Sequence, residues 1–348
     1  MTAPHVTQES EESARLWRLI GALADATMGY PFKLWGFGES IAMHGLLGSG
    51  AAGRAFAEQR LRAWALDPRP LAADPLAHVA PGVPLLVLYR LTRAGELLPR
   101  AVELAELLDD TRRGRHGARI HRPGLAGWEH EVWVDCMHLD GPFLVLLGRE
   151  LPERRWIDLG VELLMSHARV LQDEGNGLFS HGFDDATGCR NQVFWGRGQG
   201  WALLGLVDTL RELLGVQHAV ESELRQRLTA LVTALAATEE ADTGRWHTVV
   251  DAPDTYIEPS VSALVAHGIS EAIAHGLIDR SYASLAERAW QATLAGINPV
   301  GELVGVSDAT PVGQTALDYN ARPRGVFPWG QGPALLAIQG RHTELLIP

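Results

Sequence analysis

The sequence predicts an all-α chain whose helix pairs close into an (α/α)6 barrel, a six-hairpin toroid. Three observations predict it. Apolar residues recur at helical spacing along most of the 348 residues, as in WALLGLVDTLRELLG (201–215), where Leu203, Val207, Leu210 and Leu214 share one face. Alternating strand patterns are scarce. Six times, a turn containing glycine or proline and often an aromatic residue leads into an apolar helix.

In chain order the six starts are LWGFGESIAMHGLL (34–47), HVAPGVPLLVLY (78–89), WVDCMHLDGPFLVLL (133–147), WGRGQGWALLGLV (195–207), YIEPSVSALVAHGI (256–269) and WGQGPALLAI (329–338). A second, more charged helix lies between most of them. Apolar inner helices backed by amphipathic outer ones suit a closed ring with a cleft at one end. Loops on such a rigid scaffold are where function concentrates, which places the cleft at these Gly- and Trp-rich turns. No linker or composition break divides the chain. Residues 1–348 read as a single barrel domain, with residues 1–14 a flexible N-terminal extension.

Hydrophobic residues make up 46% of the chain, ample for a large core. No apolar run reaches the roughly 18 residues of a membrane span. The N-terminus, MTAPHVTQESEESARLW, is polar and acidic and lacks the pattern of a signal peptide. A cytoplasmic protein is expected. The two cysteines, Cys136 and Cys189, are far apart and form no CxxC pair, which argues against a disulfide framework or a zinc cluster. The net charge of −12 disfavours nucleic acid and anionic membranes as partners. An acidic ligand would have to be met by locally placed arginines and histidines. Paired-His zinc signatures, GxSxG, a P-loop and a strand-borne GxGxxG are all absent, and DDATG lacks the alternating ligands of an EF-hand, so no metal and no cofactor is expected.

Eleven tryptophans stand against five tyrosines. Trp35, Trp128, Trp133, Trp195, Trp201, Trp246 and Trp329 lie in or beside the turns. An indole offers a flat apolar face to the C–H face of a sugar ring and one N–H donor; the plainer reading is core filling. Asp135 follows Trp133 at the start of an apolar helix, where it reads either as a helix-start carboxylate or as a general acid/base. Arg197 and Trp201, four apart in WGRGQGW, share a helix face, and an arginine there can grip a carboxylate with two parallel hydrogen bonds. His181 lies in a turn-rich loop and by itself reads as solvated surface. The basic stretch ARIHRPG (118–124) reads as an exposed turn, with Arg119, His121 or Arg122 able to meet a second acidic group.

WVDCMHLDGPF (133–143), SHGFD (180–184), FWGRGQGW (194–201), GRWHTVVDAPDTYIEPSVSAL (244–264) and YNARPRGVFPWGQGPALLAI (319–338), in this order, resemble the unsaturated uronyl hydrolases. These are the unsaturated rhamnogalacturonyl hydrolases of glycoside hydrolase family 105 and the unsaturated glucuronyl hydrolases of family 88. The resemblance implies the (α/α)6 barrel already read from the six starts. It implies Asp135 as general acid/base, with His181, Arg197 and Trp201 binding substrate. Trp35, Trp128, Trp133, His138 and Trp329 are carried beside them as substrate-binding candidates. The implied substrate is a small oligosaccharide whose terminal sugar is a 4,5-unsaturated uronic acid left by a polysaccharide lyase. Hydration of its C4=C5 double bond releases that sugar without metal or cofactor.

The chain departs from the family at the second aspartate, where His78 stands, with Asp74 the nearest upstream carboxylate. His138 and Leu139 replace an aromatic residue and a methionine, and Asp140 takes the place of a small residue. His78 is carried as a second catalytic residue, and His78 and Asp140 as a compensating pair. Two alternatives stay open: another carbohydrate reaction on the same barrel, saturated glycoside hydrolysis or epimerisation, and sugar binding without catalysis. A saturated-sugar hydrolase needs a second carboxylate, for which Asp74, Glu39, Asp140 and Glu258 are candidates. Linkage and oligomeric state are not legible.

Overall fold

The computed structural model describes residues 4–32, 35–73 and 81–346. Helix α1 (Pro4–Met28) comes first. It is followed by α2 (Phe37–Leu47), α3 (Ala51–Ala65), α4 (Gly82–Thr92), α5 (Leu98–Asp110), α6 (Cys136–Glu150) and α7 (Arg154–Leu171). Then come α8 (Gly196–Leu213), α9 (Glu221–Ala237), α10 (Pro259–Ala274), α11 (Ala283–Gly296), the short α12 (Ala316–Asn320) and α13 (Pro328–Leu346).

Helices α2, α4, α6, α8, α10 and α13 pack side by side, and α13 returns against α2, so the inner ring is closed. Each predicted start leads into one of these six. Helices α3, α5, α7, α9 and α11 each lie outside the inner helix that precedes them. The sixth outer position, against α13, is filled by α1. Because α1 begins at Pro4, helix takes up most of the segment read from sequence as an extension.

The burial pattern explains the two layers. In α6 every residue from Cys136 to Gly148 is buried. A helix without a polar face is stable only when surrounded. Its partner α7 buries Trp156, Leu159, Leu163 and Leu164 while Arg154, Arg155, Asp158 and Glu162 stay exposed. Close approach within the ring rests on glycine. A Cβ on Gly205 of α8 would lie 2.4 Å from the Met137 carbonyl oxygen of α6, and one on Gly332 of α13 would lie 2.7 Å from the backbone of α2 at Ile41 and Ala42.

The connections at the N-terminal ends of the inner helices carry the small sheets. Strands β1 (Glu131–Trp133), β2 (Gly182–Asp184) and β3 (Cys189–Arg190) form an antiparallel sheet with Trp133 opposite Gly182. Strands β4 (Val306–Ser307) and β5 (Arg324–Gly325) form a second. No helix among the described residues is long and apolar enough to cross a membrane.

Backbone carbonyls cannot move aside as a side chain can, so Gly205→Ala should separate α6 from α8. The expected loss is about 1–3 kcal/mol of unfolding free energy, read from urea denaturation; an unchanged midpoint would show that the two helices have slack.

Candidate active site

The start of α6 sets the site. Val134 N–H donates to the His181 carbonyl at 3.0 Å, and His181 N–H donates to the Val193 carbonyl at 3.0 Å. Three chain segments are thereby tied together beside Asp135, the residue before α6. Although Asp135 occupies the helix cap, its side chain makes no capping bond. The carboxylate is 7% exposed, with Oδ2 3.3 Å from His181 Nε2. The helix-start reading therefore does not account for it.

Asp135 lies in the wall of a cavity of about 590 Å³, lined also by Phe37, Glu39, Arg122, Trp128, Trp133, Trp195, Arg197, Trp201 and Trp329. The lining draws on the N-terminal ends of α2, α6, α8 and α13. The indole of Trp133 lies flat on the His121 ring, with centroids 4.2 Å apart, and its Nε1 donates to Glu131 at 2.7 Å. Trp128 lies tilted against Trp133 with centroids 4.7 Å apart, and Trp195 lies 4.4 Å from the His181 ring. The result is an aromatic chamber with a carboxylate set in it.

Two arginines line the cavity, and they differ. Arg197 is 2% exposed. Its Nη1 donates to Ser307 Oγ at 2.6 Å, to Ser307 O at 3.2 Å and to Glu258 at 3.4 Å; its Nη2 donates to Asp308 O at 3.0 Å and Thr310 Oγ1 at 3.2 Å. It holds the loop after β4 in place. Arg122 lies over Trp128 at 4.8 Å and has a buried Nε without a hydrogen-bond partner. Among the described residues no carboxylate pairs with it. Burial pulls its pKa down, and Cys136 and Asp135 partly offset this.

A second polar cluster lies under Asp135. Arg119 and Asp140, 0% and 1% exposed, form a two-pronged ion pair at 2.7 and 2.9 Å. Arg119 also donates to Cys136 Sγ at 3.2 Å. Donor atoms of Cys136, Asp140 and His167 lie within 4.8 Å of one another. Arg119 already engages two of them, so a metal ion would have to displace a guanidinium. The trio belongs to the buried ion pair.

A protein-family model described as Glycosyl Hydrolase Family 88 matches residues 56–344. The chain belongs to that family. It is 30% identical over 266 residues, 74% of each chain, to the unsaturated rhamnogalacturonyl hydrolase YesR of Bacillus subtilis (strain 168). A crystal structure of a possible member of family GH105 from Salmonella enterica serovar Paratyphi A is similar with a TM-score of 0.84 at 25% identity, covering 95% of this chain and 94% of that one. The unsaturated glucuronyl hydrolase of Bacillus sp. GL1, described as responsible for glycosaminoglycan degradation, shares the fold with a TM-score of 0.72 at 16% identity, over 92% of this chain and 96% of that one.

In this family-88 chain the cavity brings together Trp128, Trp133, Asp135, Arg197, Trp201 and Trp329. Trp35 is not in the lining; the Arg60 guanidinium lies over it at 6.0 Å. His138 stacks behind Trp201 at 5.2 Å, and burial brings its pKa down to about 4, so at neutral pH it is an uncharged backing residue. His181 is fully buried rather than solvated and reaches Asp135 instead of the cavity. Trp246 is a core residue donating to Leu235 O. His78 and Asp74 lie outside the described residues, and Asp140 is held in an ion pair by Arg119. Arg119 and His121 are fully buried, so ARIHRPG is not an exposed turn. Sequence reasoning also missed Tyr319, whose hydroxyl meets His181 Nδ1 at 2.7 Å.

Cys136 is buried and Cys189 exposed, and burial pushes the Cys136 thiol up to about 12. A thiol reagent at pH 8 should therefore titrate one thiol in the native protein and both in denaturant. Fast reaction of both in the native state would mean that the layer under Asp135 is open.

Proposed function

We propose that the chain releases a terminal 4,5-unsaturated uronic acid from lyase-generated oligosaccharides by hydrating its C4=C5 double bond. The observation that carries this reading is Asp135, a carboxyl unused by its helix cap, set in an aromatic cavity beside an unpaired guanidinium. Protonated Asp135 delivers its proton to C4. Water adds at C5, and its proton returns to Asp135. The C5 hemiketal opens to a ketone as the C5–O5 bond breaks, O5 stays on C1 as a hydroxyl, and that C1 hemiacetal collapses to an aldehyde as the next sugar leaves with the hydroxyl proton. One acid/base group serves both proton transfers, so the two-carboxylate spacing of ordinary glycosidases does not apply.

Trp128 and Trp133 offer the ring faces for the planar unsaturated sugar. Arg122 is the group assigned to its carboxylate, because the donors of Arg197 are engaged by protein acceptors. The name of the Bacillus subtilis relative supports the substrate class. Hydrolysis of a saturated glycoside remains as a second reading because of Glu39. Of the four carboxylates considered for it, Glu39 lies in the cavity and burial raises its pKa, whereas Glu258 is held by Ser260, Ser307 and Arg197.

The test mixes the purified protein with unsaturated disaccharides from pectin, rhamnogalacturonan and glycosaminoglycan lyase digests and with saturated counterparts. The expected result is loss of the ultraviolet absorbance of the conjugated double bond on at least one unsaturated substrate. Asp135→Asn should slow this about 100- to 10,000-fold. Sugar release from saturated substrates alone would replace the proposal with the second reading. Arg122→Met should raise KM by about 10- to 100-fold with a smaller change in kcat; an unchanged KM would leave carboxylate recognition to another group.

A further inference from the structure

Tyr319, on α12, is buried at 1% exposure; it is not part of the cavity lining and packs behind Trp195, with ring centroids 6.3 Å apart. Its hydroxyl has three neighbours. Gly313 N–H donates to it at 3.0 Å and Asn191 Nδ2 donates to it at 3.2 Å. The third is His181 Nδ1 at 2.7 Å. The amide of Asn191 cannot be turned round without loss: its Nδ2 also donates to the Gly313 carbonyl at 2.8 Å, while its Oδ1 accepts from Gly182 N–H at 3.2 Å. The phenol oxygen thus receives two donors, and its own proton has one acceptor left, His181 Nδ1. Burial pushes the Tyr319 pKa up, so the proton stays on the phenol.

We infer that Tyr319 is a positioning residue that locks His181 in its Nε2–H tautomer and thereby dictates which oxygen of Asp135 carries the catalytic proton. Nδ1 accepts from Tyr319, so the ring proton sits on Nε2, 3.3 Å from Asp135 Oδ2. Oδ2 is sealed from solvent, and neither it nor His181 Nε2 makes a hydrogen bond, so the 3.3 Å contact between them is electrostatic. A donor facing Oδ2 excludes a proton from that oxygen. The acid proton must then sit on Oδ1, the oxygen left to serve the cavity. The opposite tautomer would present a lone pair to Oδ2 and draw the proton to the wrong side of the carboxyl.

The ring cannot escape by turning. Trp195 covers one face with centroids 4.4 Å apart, Trp133 meets it edge-on at 5.4 Å, and the backbone on both sides is fixed by the bonds to Val134 and Val193. The same tautomer serves both halves of the reaction. Before proton transfer it keeps the acid proton on Oδ1. Afterwards the Nε2–H faces the new carboxylate at Oδ2, and Oδ1 takes the proton from water. The role assigned to Asp135 rests on the proposed hydration reaction; the tautomer itself does not.

The experiment reads the two apart. Nitrogen-15 spectra of histidine-labelled protein, with the His181 signals assigned by their loss in His181→Gln, report the tautomer with no substrate present. The wild type is expected to show a protonated Nε2 and an unprotonated Nδ1 at pH 7.5 and above. A protonated Nδ1 in the wild type overturns the inference whatever the activity. Tyr319→Phe keeps the ring and removes the donor. It is expected to shift His181 toward Nδ1–H and to lower kcat about 10- to 100-fold, the range seen when partners that orient a functional histidine are removed, with KM within about twofold. A folded Tyr319→Phe with the wild-type tautomer and kcat also overturns it. If no substrate is turned over by the wild type, the activity proposal fails while the spectra still decide the tautomer.

Discussion

Six helices without a polar face cannot stand in water singly, and the architecture follows from keeping all of them covered. Each inner helix touches two inner neighbours and is backed by outer helices, and the outer layer is completed when the N-terminal α1 covers the C-terminal α13. Ends of the chain separated by the whole sequence are thus joined by a shared need for burial. Glycines such as Gly205 and Gly332 allow the inner helices to approach until backbone meets backbone. The cavity with Asp135 opens at the end of the ring where the inner helices begin.

That constraint shapes the chemistry. A polar group placed at the rim of such a ring must find partners within the protein or remain costly. The rim divides accordingly. Arg119 with Asp140, and Arg197 with Glu258, Ser307 and Thr310, are paired and hold loops and helix starts in register. Asp135 and Arg122 are left without such saturation and face the cavity. The contrast between paired and unpaired groups, rather than residue type, distinguishes binding candidates from scaffolding. Arg197, the arginine matched to the family's substrate-binding position, lines the cavity while its donors are engaged by Glu258, Ser307, Asp308 and Thr310.

The fold was legible because its signal is repeated. Each apolar helix preceded by a Gly- or Trp-bearing turn is weak alone, and six in a row define a ring. What escaped was α1, since MTAPHVTQESEESARLW is polar at its start and its partner is the far end of the chain. Of the site, Asp135 with Trp133 and the WGRGQGW turn were legible because they sit in contiguous motifs. Arg122 and Tyr319 were not. Arg122 looked like part of a polar surface turn, and only tertiary packing reveals that Arg119 and His121 just before it are buried. Tyr319 meets His181 across 138 positions of sequence, a separation at which spacing carries no information. His181 shows the reverse error: a loop position suggested solvent, whereas the sheet β1–β2 and Trp195 enclose it. Asp140 read as a possible exchange partner for His78 because its counter-ion, Arg119, lies on a separate segment.

The central claim is that Asp135 protonates a carbon of the double bond and that the glycosidic carbon is never attacked. It is tested most directly with an unsaturated uronyl substrate whose linking oxygen is replaced by sulfur. Protonation of a glycosidic oxygen is then unavailable, while C4 and C5 are untouched. The account predicts that the thio-linked sugar is hydrated and released at a rate comparable to the oxygen-linked one, and that Asp135→Asn loses both. Turnover of the oxygen-linked substrate alone would contradict it and place the chemistry at C1.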